Sequence, residues 1–140
     1  MAARLKTITQ TVVVPATPGQ IYDAFVNPRI HAAFTGAPAT GAARVGARFT
    51  AWDGYISGVH VELVRGHRIV QEWRTTEWPD DVKSSRVELS FTAVEGGTRL
   101  RMVHSLVPAE QADAYRQGWI DYYWNPLQAY FNEGRTAVHN

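Results

Sequence analysis

The C-terminal segment constrains the fold of this chain most strongly. Residues 108–132 carry aromatic and apolar side chains at spacings of three and four, which is the period of one helical face. Pro108 suits a first helical position, because its missing N–H would have no intrahelical partner there. The pattern predicts one long helix from residue 108 to about residue 132, lying on a sheet that covers its apolar stripe. The stripe consists of Tyr115, Trp119, Tyr122, Tyr123, Leu127, Tyr130 and Phe131.

Pro126 predicts a bend within this helix. A proline inside a helix removes one backbone hydrogen bond and clashes with the carbonyl four residues earlier, here that of Tyr122. Asn125 followed by Pro126 also fits an N-cap and first-turn pair that would begin a second helix. The sequence fits both a kink in one helix and the start of a second helix, and in either case the helix axis bends at this point.

Residues before the helix predict six strands and two short helices. Thr17, Pro18 and Gln20 form a capping box that starts one helix, and Asn27 with Pro28 starts another that runs through Ala33. Residues 35–44 are rich in glycine and proline and predict a loop. Alternating apolar and β-branched residues predict strands at 5–14, 45–52, 55–64, 68–76, 86–94 and 98–106.

Turn residues connect five of these strands into an antiparallel meander. Asp53-Gly54 and Gly96-Gly97 predict tight hairpins, and Arg65-Gly66 predicts a further turn. The expected fold is α+β: a six-stranded curved antiparallel sheet, two short helices, and a long C-terminal helix across the concave face. The 140 residues are expected to form a single domain, residues 1–140.

Alternation along the strands assigns side chains to the two faces of the sheet. The outward charges Glu62, Glu72 and Arg74 predict a cross-strand ladder on the solvent side. In the 45–52 strand, Phe49 and Trp52 fall on opposite faces, and the pattern leaves open which one points inward. In the 55–64 strand, Val59, Val61 and Leu63 lie on the face opposite His60 and Glu62. The side chains predicted to point inward from the last three strands are Ile69, Gln71, Trp73, Val87, Leu89, Phe91, Leu100, Met102, His104 and Leu106.

Composition excludes several classes of function. The formal charge is +1, with 14 basic and 13 acidic side chains and no basic run, so neither nucleic acid nor membrane is an expected partner. The absence of cysteine excludes disulfides and thiolate metal sites. The first ten residues lack a signal-peptide core, and no run reaches the length of a membrane span. A cytoplasmic protein is expected.

Several stretches resemble a known family. They are Ile21-Tyr22-Asp23-Ala24-Phe25, residues 49–58, residues 68–74, Gly96-Gly97-Thr98, Met102-Val103-His104, Gly118-Trp119 and residues 123–127. With the order of elements above, the chain resembles the activator of Hsp-90 ATPase homologue family, within the START/Bet v 1-like (SRPBCC) superfamily. The resemblance spans nearly the whole chain.

This resemblance implies a helix-grip fold with a cavity between the sheet and the C-terminal helix. Members of the superfamily use the cavity for lipids, hormones, polyketides or other apolar ligands. In eukaryotic co-chaperones of the family, a similar domain follows a separate chaperone-binding domain. A chain of 140 residues is expected to hold only one of the two.

The predicted binding site lies in that cavity. A ligand pocket is mainly apolar with a few polar groups, and plain core packing is the alternative role for each of these side chains. The candidates that would line the cavity are Phe34, Gln71, Trp73, Leu89, Phe91, Met102, His104, Trp119 and Tyr123.

His104 is the most distinctive titratable candidate. On an inward strand face it could act as a general base or anchor a ligand, or it could be a neutral histidine bonded to a tyrosine or to the terminal helix. Neither a metal nor any other cofactor is expected, because the five histidines are scattered singly without metal-ligand spacing. No nucleophile elbow or phosphate loop occurs.

Three functions remain open. The first is binding of a small apolar or amphipathic molecule without assigned catalysis. The second is a chaperone-cofactor or other protein-interaction module, as the family resemblance implies. The third is an enzyme of cyclase, aromatase or hydrolase type in which His104 and a tyrosine such as Tyr123 move protons.

Overall fold

Seven antiparallel strands, two short helices and an irregular C-terminal helix make up the described part of the chain. The structure is a computed structural model that describes the backbone of residues 4–139 and the side chains of residues 4–132, so the His139 side chain lies outside the described residues. The strands are β1 (Leu5–Val14), β2 (Thr40–Gly41), β3 (Arg48–Ala51), β4 (Ile56–Val64), β5 (Arg68–Thr75), β6 (Ser85–Val94) and β7 (Gly97–Pro108). They form one sheet in the order β1-β7-β6-β5-β4-β3-β2.

The sheet has one strand more than the six predicted. The added strand β2 lies in the loop predicted at 35–44 and pairs with β3, where Thr40 faces Thr50. The hydroxyls of these two threonines are 2.7 Å apart. A strand of two residues shows no alternation, so periodicity could not have found it.

The two short helices follow their predicted caps. They are α1 (Pro18–Val26) and α2 (Pro28–Thr35). Thr17 and Gln20 form the reciprocal capping box, and the side chain of Asn27 accepts hydrogen bonds from the first turn of α2. These bonds join neighbouring residues, which explains why the sequence alone predicted both helix starts.

Two β-bulges correct the predicted facing of side chains. In β4 His60 is buried on the same face as Ile56, and the register with β5 shifts directly after it, between His60 and Glu62, where Val61 is 43% exposed. In β7 the register with β1 shifts near Leu106, which has a φ of 61° and is 50% exposed. One extra residue moves every following side chain to the other face, and alternation cannot reveal where that happens.

The other assigned faces are mostly confirmed. Ile69, Gln71 and Trp73 are buried, as are the inward residues predicted for β6 and the first three predicted for β7. Phe49 is the inward residue of β3, whereas Trp52 lies in the turn that follows the strand.

The predicted charge ladder on the outer face involves other residues than expected. It runs Glu62–Arg68–Glu88, with Arg68 Nε 2.9 Å from Glu62 Oε1, and Glu72 and Arg74 are not part of it.

The C-terminal helix starts later and is less regular than predicted. Pro108 ends β7, and a 3₁₀ turn (Ala109–Gln111) leads into α3 (Ala112–Trp119). A π-helical segment (Ile120–Trp124) then joins α4 (Asn125–His139) without a gap. The Asn125 N–H bonds the Ile120 carbonyl, and Asn125 is helical, so it does not cap a second helix. The predicted irregularity is therefore a π bulge directly before Pro126.

Side chains of the C-terminal helix attach it to the first strand. Gln10 of β1 donates through Nε2 to the Arg116 carbonyl at 2.9 Å and accepts from Trp124 Nε1 at 2.8 Å. Trp119, Tyr123 and Leu127 are buried, but Tyr122 is 57% exposed. The predicted aromatic stripe is therefore wider than the face of the helix that is buried against the sheet. Within the described residues, no helix is long and apolar enough to span a membrane.

Candidate functional site

A cleft of about 450 Å³ lies at one end of the contact between the sheet and the C-terminal helix. The sheet side is lined by Trp52, Tyr55, Ile56, Trp73 and Glu77. The helix side is lined by Gln111, Ala114, Tyr115, Gly118, Trp119, Tyr122 and Tyr123. Seven of these twelve residues are aromatic, so the lining is chiefly aromatic.

The β3–β4 hairpin places two aromatic side chains at the mouth. The ladder closes at Ala51 and Ile56, so the loop has four residues rather than the two predicted from Asp53-Gly54. Trp52 and Asp53 adopt φ values of 53° and 56°, a left-handed conformation that non-glycine residues rarely adopt. This turn directs the Trp52 ring against Tyr122, 5.4 Å away and edge-on.

The Tyr115 hydroxyl holds the polar wall together. It accepts from Trp78 Nε1 at 2.9 Å and donates to Gln111 Oε1 at 3.1 Å. The Thr75 hydroxyl lies 2.9 Å from the same oxygen. Helix α3 is thereby fixed to the end of β5 and to the loop that follows it.

Glu77 is the one charged residue among the lining side chains. The Tyr55 hydroxyl donates to its carboxylate, which stays exposed at the rim. Burial, followed by the effect of the Glu77 carboxylate, raises the pKa of Tyr55. The β5–β6 loop that carries Glu77 is held by Arg74, which donates to the Val82 and Pro79 carbonyls. Arg74 is therefore a loop anchor.

Three large aromatic side chains form the floor of the cleft. The Trp119 ring lies 5.9 Å from Trp73 and 4.8 Å from Tyr123. Beneath them lies a small void of about 10 Å³, between the floor and residues such as Phe49 and Leu89. The space between sheet and helix is thus largely filled, and the usable volume lies toward the hairpin end.

His104 is bonded at both ring nitrogens. The Trp119 indole N–H donates to Nδ1 at 3.1 Å, and Nε2 lies 2.7 Å from the Ser85 hydroxyl. Ser85 itself donates to the Trp73 carbonyl. Because an indole can only donate, Nδ1 is unprotonated and Nε2–H donates to Ser85. Burial lowers the pKa of His104 to about 3, and no lone pair is left for a substrate.

His31 forms a second buried pair that the sequence did not suggest. Its Nδ1 lies 3.2 Å from the Phe25 carbonyl, so Nδ1 carries the proton and Nε2 accepts from the Tyr123 hydroxyl at 3.0 Å. Burial lowers the pKa of His31 to about 4 and raises that of Tyr123. The pair connects α2 to the floor of the cleft.

The nine predicted cavity residues are distributed over three environments. Trp73, Trp119 and Tyr123 line the cleft, and Gln71 and Leu89 line the small void beneath it together with them. The other four are buried away from both spaces: Phe34 packs on Phe25 and Tyr123, Phe91 on Tyr22, His104 on Trp73 and Trp119, and Met102 lies in the core. Contact of any of the nine with a ligand stays a prediction.

The cleft could have been predicted from the helical spacing of residues in the C-terminal segment, which alternation along the strands does not include. Gln111, Tyr115, Gly118 and Tyr122 recur at helical spacing and form the face of the helix that borders the cleft. Trp52 and Tyr55 flank an Asp-Gly turn, which places aromatic side chains at one end of the sheet.

Among the described residues, no three metal-ligating side chains gather in one place.

Comparison with known proteins identifies relatives over most of the chain. Residues 15–132 match the family described as Activator of Hsp90 ATPase homolog 1-like protein. The human activator of 90 kDa heat shock protein ATPase homolog 1 is 35% identical over 118 residues, which are 84% of this chain and 35% of the human protein. A Dictyostelium discoideum homolog of the same name is 32% identical over 116 residues, 81% of this chain and 30% of its own length.

Solved structures share the fold. The crystal structure of an HSP90 activator from Plasmodium falciparum superposes with a TM-score of 0.80 at 23% identity and covers 91% of this chain and 96% of that one. The solution structure of the Aha1 dimer from Colwellia psychrerythraea superposes with a TM-score of 0.74 at 16% identity. The match covers 88% of this chain and 96% of that one. The chain spans about a third of the length of the curated relatives it matches.

Proposed function

The chain belongs to the Activator of Hsp90 ATPase homolog 1-like family, and from this premise we propose that it binds a small apolar or amphipathic organic molecule. The binding site is the cleft between the β3–β4 hairpin and the C-terminal helix. The single domain predicted from the sequence is part of this proposal, since the sheet with its loops and the C-terminal helical segment supply every lining residue.

The cleft itself is the observation that carries the proposal. Its volume of about 450 Å³ lies in the range typical of small-molecule pockets, and its lining combines aromatic surface with a few polar groups. The Trp52 indole N–H in this wall is buried and makes no hydrogen bond of normal geometry within the described part of the chain, but it lies close enough to the Tyr123 hydroxyl to counteract part of the rise in the pKa of Tyr123. The polar groups of the lining, chiefly the Glu77 carboxylate and the Gln111 amide, favour an amphipathic molecule over a pure hydrocarbon.

Gly118 offers a direct test. It lies in α3 on the cleft wall, and an added Cβ would meet only Tyr122 Cδ2, at 3.8 Å. A leucine there should fill the cleft without disturbing the fold, because helix interiors favour leucine over glycine. Gly118→Ala is the matched control, since one methyl group leaves most of the volume open.

The experiment is native mass spectrometry of freshly purified protein, combined with a screen of amphipathic organic compounds. We expect at least one compound to add to the wild type and to Gly118→Ala but not to Gly118→Leu. Equal binding by Gly118→Leu would place the site elsewhere. Failure of every compound to bind wild-type protein would overturn the proposal.

A second candidate function is that of a chaperone cofactor, which the 35% identity to the human activator favours. In that case the partner would be an Hsp90-type ATPase. The test is the ATPase rate of such a chaperone with and without this protein. Stimulation of similar size by wild type and Gly118→Leu would support a role independent of the cleft, and an unchanged rate would exclude this candidate.

A further inference from the structure

We propose that the preferred ligand is an organic cation, such as an alkylated ammonium group with an apolar or aromatic substituent. This inference rests on the proposed function and specifies the chemistry of the same cleft. Two features of the cleft favour a cation: its aromatic walls and the sign of the charge at its rim.

The aromatic rings of the walls lie at steep angles to one another. Trp52 and Tyr122 meet edge-on at 5.4 Å at the mouth, and Trp73 and Tyr115 meet nearly perpendicularly at 5.5 Å deeper in the cleft. An organic cation held among such rings is attracted by their quadrupoles, most strongly where water is excluded. A neutral molecule of the same shape gains only the apolar contact.

The charges of the lining residues have one sign. Glu77 supplies a carboxylate at the rim, and none of the twelve lining residues is lysine, arginine or histidine. The Tyr55 hydroxyl holds this carboxylate in place by donating to it. Gln111 and the tyrosine hydroxyls complete the polar part of the lining. A carboxylate favours a cation over a neutral molecule, and no positive side chain in the lining opposes it.

The cleft also has room for more than a cationic head group. Its volume of about 450 Å³ extends from the exposed Tyr122 and Glu77 at the rim to the buried Trp119 and Tyr123 at the floor. A ligand with both an ammonium group and an apolar substituent fills such a site better than a simple ammonium ion. The Gln111 amide in the lining suits a hydroxyl or ether oxygen on that substituent.

Two probes of nearly identical shape isolate the effect of charge. They are (3-hydroxyphenyl)trimethylammonium and 3-tert-butylphenol, which differ mainly in the replacement of a positive nitrogen by carbon. Binding of each is measured at pH 7 by isothermal titration calorimetry on the wild type. We expect the cation to bind about 3- to 30-fold more tightly than the neutral probe, as a desolvated cation–π contact and a nearby carboxylate would give.

Two substitutions identify the groups responsible. Glu77→Gln should lower the preference for the cation several-fold, whereas Glu95→Gln, which changes an exposed carboxylate in the β6–β7 hairpin, should leave it unchanged. Tyr122→Leu should also lower the preference. Tyr130→Leu, at a half-exposed tyrosine of α4 that does not line the cleft, serves as its control.

The outcomes separate this inference from the proposed function. If the neutral probe binds as tightly as the cation, the cleft still binds small molecules and the cation preference is wrong. The same holds if Glu77→Gln and Tyr122→Leu leave the preference unchanged. If neither probe binds and Gly118→Leu behaves like wild type throughout, both the inference and the ligand-binding function are wrong.

Discussion

The Trp119 indole N–H donates a hydrogen bond to Nδ1 of His104 over 3.1 Å, inside the contact between the C-terminal helix and β7. Both side chains are buried. The bond fixes the tautomer of His104 and the orientation of the Trp119 ring, which forms part of the cleft floor. The most distinctive histidine of the sequence therefore supports the site from behind and does not reach into it.

Replacing Trp119 by Phe should destabilise the protein. The change removes the donor and leaves a buried acceptor on His104 unpaired, which costs about 1–3 kcal/mol in the free energy of unfolding. Trp124→Phe is the matched control, because its indole donates to the half-buried Gln10, where water can replace it. Urea denaturation should give a larger loss for Trp119→Phe, and equal losses would contradict the assigned bond.

Stability should fall as the pH drops below about 6.5. Burial lowers the pKa of His31 to about 4 and of His104 to about 3, so the folded state binds fewer protons than the unfolded state. Stability from these groups is complete above the unfolded pKa near 6.5 and is lost progressively as the pH falls from there toward the folded values. Between pH 7 and 5.5 each should cost roughly 1 kcal/mol of the free energy of unfolding.

Single substitutions distinguish the histidines in this measurement. His31→Gln should reduce the pH-dependent loss by roughly the share of one histidine. His67→Gln changes an exposed histidine in the β4–β5 turn and should leave the dependence as it is in the wild type. A free energy of unfolding that is flat between pH 7 and 5.5 would show that these histidines are not buried in the neutral form.

Two glycines should respond to alanine in opposite directions. A Cβ at Gly58 of β4 would lie 1.9 Å from the Glu72 carbonyl oxygen on the paired strand, so Gly58→Ala should be strongly destabilising or prevent folding. Gly118 has room for a Cβ, and Gly118→Ala should stabilise α3 by about 0.5–1 kcal/mol. Thermal unfolding of both variants checks the pair, and a stable Gly58→Ala protein would contradict the close approach of β4 and β5.

Local signals in the sequence predicted the helix starts and most strands. The Thr17 and Gln20 capping box and the Asn27 cap involve residues two or three apart, so their partners are visible in the sequence. The inward faces of β5 and β6 followed from alternation in strands without an early register shift. These features are decided by short-range chemistry and by the pleat of the sheet.

The positions of the β-bulges and of the cleft depend on contacts between distant parts of the chain, so the local sequence did not predict them. The bulges in β4 and β7 left Val61 and Leu106 exposed, and nothing in the local sequence marks them. The cleft lies at the hairpin end because Trp73, Trp119 and Tyr123 occupy the space that the sequence assigned to a central cavity. That outcome depends on side-chain volumes from three distant segments, which periodicity does not report.

The indole N–H signals in a nitrogen–proton NMR spectrum test the ligand-binding proposal most directly. Trp52, Trp73 and Trp119 line the cleft, whereas Trp124 bonds Gln10 outside it, so the protein carries its own internal reference. Titration with (3-hydroxyphenyl)trimethylammonium should shift the Trp52 and Trp73 signals and leave that of Trp124 in place. Shifts as large at Trp124, or no indole shift at any concentration up to about ten times that of the protein, would contradict binding in this cleft.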